Sequence, residues 1–172
     1  MGVSRPRDTG PLYIAVIGGG GDVAPGPSAM ADTVGHAIAE AGAVLVCGGL
    51  DGVMEAACRG AHRAGGITVG ILPGRDRGAA NAHVDIAIPT GLGEARNALV
   101  VRAADAVVAV AGEYGTLSEI ALALQAGIPV VGLDTWELGR GGEPDDAVVR
   151  ATDPAQAVGL ALSLARSARR RR

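Results

Sequence analysis

The chain has 172 residues and a formal net charge of −3, and it is 48% hydrophobic but only 2% aromatic. Its fifteen basic residues are all arginine, which argues against a pyridoxal-phosphate enzyme, whose Schiff base needs a lysine, and against a P-loop NTPase. No apolar run reaches the ~20 residues of a membrane span, and aromatics are too few for a nucleic-acid stacking surface.

A chain of this length makes one domain that buries roughly 70% of its unfolded surface, with alanine, valine, leucine and isoleucine filling the core. Residues 1–10 read as a disordered leader without the apolar segment of a signal peptide, which places the protein in the cytoplasm. Leu12 to Ile17 predicts a buried strand that ends in the run Gly18 to Gly21. Pro27-Ser28 opens a helix to about Ala41, with Met30, Val34, Ile38 and Ala41 on its apolar face. Asp32, His36 and Glu40 form the opposite, solvated stripe. Gly42 is a natural stop.

Ala43 to Val46 is the second strand, and Cys47-Gly48-Gly49-Leu50-Asp51-Gly52 turns into a helix to about Ala64 that Asp51 can cap. Cys47 and Cys58 read as small buried residues, without a disulfide or zinc site. The third strand is Ile67 to Leu72, residues 75–83 form a polar loop, and Val84 to Ile88 is the fourth strand. His62 and His83 show no evident partners. A helix of about Glu94 to Ala104 follows, then the apolar run Asp105 to Val110 and the turn Ala111-Gly112-Glu113-Tyr114-Gly115-Thr116. The next helix carries Glu119, Val130 to Leu133 is a sixth strand, residues 139–145 form a loop, and Ala147 to Arg150 is a short last strand. Asp153-Pro154 begins a terminal helix, with Val158, Leu160, Leu162 and Leu164 among its apolar residues.

Strand and helix alternate throughout. That pattern predicts an α/β fold: a three-layer, doubly wound, mostly parallel sheet with helices on both faces. Ligands of such sheets lie outside the carboxyl ends of the strands. The glycine turns at 18–21, 48–52 and 112–115 all follow strands, as does Arg96, so they are expected to converge on one edge. The strand, glycine turn and helix around Gly112 to Thr116 form a ready anion site. One domain spans 11–166. The arginines of 167–172 read as a solvated tail.

The stretch Gly112 to Glu119 resembles the PGGxGTxxE motif of the Lonely Guy (LOG) phosphoribohydrolases, long mislabelled lysine decarboxylases. Gly48-Gly49 through Gly52-Val53-Met54 resembles their GGxxGLM turn. Val69 to Pro73 resembles their next strand, and Arg96 stands where they carry a catalytic arginine. The resemblance runs from Tyr13 to about Trp136. The segments Thr116 to Leu124 and Gly127 to Leu133 are more similar to a branch that holds the molybdenum-cofactor carrier protein and uncharacterised nucleotide-binding proteins. Ala111 stands where the LOG motif has proline, and Glu113 where it has its second glycine.

The resemblance implies a Rossmann-like domain that binds a nucleotide or another phosphorylated small molecule, without metal or cofactor, as a homo-dimer or homo-tetramer. Gly19, Gly20, Gly48, Gly49, Gly52, Met54 and Asn97 would surround the ligand. Gly112, Glu113, Tyr114, Gly115 and Thr116 would hold its phosphate. Two readings follow. In the first, Glu119 and Arg96 hydrolyse a nucleoside 5′-monophosphate to free base and ribose 5-phosphate, Glu119 stabilising the developing charge or deprotonating water and Arg96 fixing the phosphate or the carboxylate. In the second, the same cleft carries or senses a ligand such as molybdenum cofactor without turnover. Spacing alone also allows Thr116 and Glu119 to form a capping box. Tyr114 can stack on a base or cover the turn, and Trp136 reads as packing or a subunit contact.

Overall fold

The computed structural model describes residues 10–171. Seven parallel strands form one sheet: β1 (Tyr13–Gly18), β2 (Val44–Cys47), β3 (Thr68–Leu72), β4 (Ile86–Pro89), β5 (Ala106–Val110), β6 (Val130–Leu133) and, after a small hairpin, β9 (Val148–Ala151). Their spatial order is β4-β3-β2-β1-β5-β6-β9. The chain winds outward from β1 through β4, returns to place β5 beside β1, and winds outward the other way. The β1/β5 junction is therefore the switch point, where such sheets open a crevice. In register, Gly18 of β1 stands opposite Val110 of β5, so both following turns leave the sheet at the same height.

Helices cover both faces. α1 (Pro25–Glu40), α2 (Val53–Arg63) and α5 (Pro154–Arg170) pack on one, where Val34, Ile38, Val53, Ala57 and Ala161 meet Ile14, Val16, Leu45 and Val108. α3 (Asn97–Arg102) and α4 (Tyr114–Gln125) cover the other, where Val100, Val101, Ile120 and Ala123 meet Ala15, Ile17, Val107 and Ala109. All five residues of β5 are buried, as a central strand covered on both faces requires.

Several local expectations are corrected. α1 starts at Pro25 rather than Pro27, because two prolines fit a first helical turn, whose N–H groups lack intrahelical partners. Its polar stripe is not simply solvated: Asp32 is paired with Arg59 at 3.0 Å and Arg63 at 2.8 Å of α2. Asp51 does not cap α2; its Oδ1 accepts instead from the Gly21 N–H at 2.7 Å. β4 begins at Ile86, and the helix expected over 94–104 is a 3-10 turn, Gly93–Arg96, followed by the short α3. The loop 139–145 is a hairpin of β7 (Leu138–Arg140) and β8 (Glu143–Asp145). His62 and His83 are neighbours, their rings 5.9 Å apart.

The arginine-rich end is not a frayed tail. α5, capped by Asp153 accepting from the Gln156 N–H at 2.8 Å, continues to Arg170. Arg169 donates to Asp105 at 2.9 and 2.6 Å and to the Gly10 and Pro11 carbonyls. Residues 1–9 of the expected leader lie outside the described residues. Cys47 and Cys58 are buried free thiols with sulfurs 3.4 Å apart.

Candidate functional site

A cleft of about 410 Å³ opens at the β1/β5 switch point. The turn after β1 forms one wall with Gly18, Gly19 and Gly20. The turn after β5 forms the opposite wall with Ala111, Gly112 and Glu113, continuing into Gly115 and Thr116 of α4. Gly48, Met54, Arg96, Asn97 and Glu119 close the floor. The three glycine turns thus converge, although Gly49, Gly52 and Tyr114 do not line the cleft. Gly49 backs onto Gly70 and Leu72, and Gly52 stands behind the first turn, where the Val53 N–H donates to the Gly19 carbonyl at 2.9 Å. Tyr114 is 80% exposed and packs on Trp136, ring centroids 5.5 Å apart, so it covers the turn on the outside.

The two helix N-termini at the cleft are chemically unlike. α1 begins Pro25-Gly26-Pro27, so two of its first three residues have no N–H to offer, and Asp22 lies just ahead of it on the cleft wall. α4 begins Tyr114-Gly115-Thr116, with Glu113 as an extended N-cap whose side chain makes no capping bond. Its first N–H groups lack intrahelical acceptors, and the helix dipole favours an anion there. The backbone chemistry therefore favours an anionic group at α4 rather than at α1. The apolar groups Val23, Ala24, Pro27 and Val53 face α4 across the cleft. Pattern reading passed over these four and Asp22, though the prolines were legible in the sequence.

The capping box between Thr116 and Glu119 does not form, because the helix starts three residues earlier than that box needs. Glu119 instead turns inward and is 7% exposed, as is Arg96. Arg96 is held by the 3-10 turn and lies over Gly48, where a Cβ would stand 2.6 Å from both terminal guanidinium nitrogens. A side chain there would push the Arg96 guanidinium and the Met54 sulfur out of these positions. Arg96 Nη1 donates to Asn97 Oδ1 at 2.7 Å and stands 3.9 Å from Glu119 Oε1. Its Nε–H, also buried, has no hydrogen-bond partner. Burial pushes the Glu119 carboxyl up to about 7, against the opposing pull of Arg96. Burial likewise lowers Arg96, against the pull of Glu119. The floor thus offers an under-satisfied cation beside a carboxyl that exchanges a proton near neutrality. Among the described residues there is no cluster of three or more metal-ligating side chains, and no helix is long and apolar enough to cross a membrane.

An open parallel sheet with a glycine-walled crevice at its switch point defines a Rossmann-like small-molecule-binding domain. The chain belongs to the SLOG cluster4 family, whose model matches residues 11–158. It is similar to the molybdenum cofactor binding protein of the phototrophic bacterium Rippkaea orientalis, with 37% identity and a TM-score of 0.82 over 91% of this chain and 98% of that one. It is also similar to the molybdenum cofactor carrier protein of Chlamydomonas reinhardtii, with 36% identity and a TM-score of 0.76 over 90% and 98% of the two chains. An uncharacterised protein of Archaeoglobus fulgidus is 51% identical over 100 residues, 58% of this chain and 66% of that protein.

Proposed function

We propose that the cleft binds a phosphorylated heterocycle, with its phosphate on the first turn of α4 and its ring system between the glycine turn after β1 and the start of α1, and that the chain is a carrier for a pterin-phosphate cargo of the molybdenum-cofactor type. The observation that carries this reading is the asymmetry of the two helix ends: donors at α4, prolines and apolar groups at α1. Likeness over about nine-tenths of the chain to proteins described as binding and carrying molybdenum cofactor supports the choice of cargo.

A second reading, phosphoribohydrolase, is favoured by one specific feature. Glu119 is titratable near neutrality and lies beside Arg96 on the cleft floor. That is where a group that shields an oxocarbenium-like transition state or activates water would be useful.

One experiment separates the two. The pure protein and its Glu119→Gln variant are incubated with AMP, GMP, CMP, UMP and IMP, and free base is quantified; the same samples are then titrated with molybdenum cofactor. The carrier reading expects no base release and stoichiometric cofactor binding by both proteins. Base released by the wild type alone would establish the hydrolase, and no binding of any phosphorylated ligand would sink both readings.

A further inference from the structure

The turn that begins the phosphate cradle does not hold its own shape. Ala111 has φ of 46°, a left-handed conformation that costs a non-glycine residue and that proline, locked near −65°, cannot reach. The backbone here is therefore not the one a proline at this position would make. Gly112 follows with φ of 101°.

This turn is gripped by the segment after β6. The Ala111 N–H donates to the Leu133 carbonyl at 3.0 Å. The Thr135 hydroxyl donates to the Ala111 carbonyl. The Trp136 indole N–H donates to the Glu113 carbonyl at 3.1 Å, the same oxygen that accepts the first helical bond of α4 from Leu117. Asp134, with φ of 51°, kinks the chain so that the next two residues can reach back. Thr135 and Trp136 do not line the ligand cleft; they border a separate cavity of about 210 Å³ on the other side of the turn.

We propose that Thr135 and Trp136 are positioning residues that set the phosphate affinity of the cleft from outside it. The mechanism is the planarity of the peptide unit, in which the carbonyl oxygen and the following N–H point in opposite directions. Pinning the Ala111 carbonyl to Thr135 turns the Gly112 N–H away from this strap, toward the side where Gly112 lines the cleft. Pinning the Glu113 carbonyl to Trp136 fixes the orientation of the peptide unit that opens α4. The two carbonyl anchors thus set the turn and the first peptide of α4 before any ligand arrives, so that binding need not order them. Trp136 also packs on Tyr114, ring centroids 5.5 Å apart.

This inference rests on the phosphate-at-α4 reading, and its test separates the two. GMP and guanosine, which differ only in the phosphate, are titrated calorimetrically into the wild type and into Thr135→Val, Thr135→Ser and Trp136→Phe, with folding checked by circular dichroism. Thr135→Val and Trp136→Phe are expected to weaken GMP about tenfold, the worth of a lost orienting hydrogen bond, and to leave guanosine within about twofold. Thr135→Ser is expected to restore GMP binding to near the wild-type value. Equal weakening of GMP and guanosine, or a serine variant no better than valine, would reduce the strap to general packing and overturn the proposal. A wild type that binds GMP no more tightly than guanosine would instead refute the cradle itself, and this inference with it.

Discussion

At the amino end of the sheet Arg169 grips Asp105 with two contacts of 2.9 and 2.6 Å, and Asp105 also accepts from the Tyr13 N–H at 2.9 Å. At the carboxyl end Arg96 stands 3.9 Å from Glu119, its Nε–H buried without a partner. Both are arginine–carboxylate pairs with little exposure, 18% and 13% for the first and 8% and 10% for the second. The first is geometrically complete and joins α5 to the entry of β5. The second is shielded from water yet incomplete, which is costly unless something else completes it. The difference teaches that one pair is closed on itself, while the other leaves donor capacity unused at the cleft.

The sharpest way to break this comparison is to delete each arginine at constant bulk. Arg169→Met should cost about 3 kcal/mol, because it strands a buried carboxylate. Arg96→Met should cost less than about 1 kcal/mol, since Glu119 is then left to bury as a neutral acid. Chemical denaturation measures both, and equal losses would remove the distinction.

A second test uses pH. The folded state raises the Glu119 carboxyl from 4.5 to about 7. Between those values the folded protein keeps a proton that the unfolded chain has released. The stabilisation is therefore full below about pH 4.5 and is lost as pH rises through 7, a change on the order of 3 kcal/mol. Comparing urea midpoints of the wild type and Glu119→Gln across that window should show the wild type losing stability relative to the variant as pH rises. Parallel curves would mean that Glu119 is charged and solvated in the folded protein.

The smallest effect concerns the strain beside the cradle. Ala111→Gly should raise stability by about 0.5 kcal/mol, as relief of the left-handed alanine outweighs the added freedom of the unfolded chain. A loss of stability by thermal denaturation would show that Ala111 is not strained in solution.

The layers of the fold were legible because their signals are local. Apolar runs such as Val107 to Val110 and stops such as Gly42 mark strand and helix ends without reference to distant residues. The errors fell where distant residues compete. Asp51 left its expected cap for the Gly21 N–H, thirty residues away. Arg169 left an expected solvated tail for Asp105, sixty-four residues away. The capping box failed because Glu113 already serves as the N-cap, which freed Glu119 to turn into the core.

By itself the sequence determined an alternating α/β chain and three glycine turns that each follow a strand, whereas the structure decided that the helices open at Pro25 and Tyr114. The alternation and the turns follow from backbone chemistry: which residues can reach left-handed φ, and which alternate with the pleat. Only the tertiary structure decided which arginine meets which carboxylate, how completely, and that Thr135 and Trp136 hold the turn from behind. Those outcomes depend on burial and on distances between residues far apart in the chain, and no periodicity in the sequence encodes either.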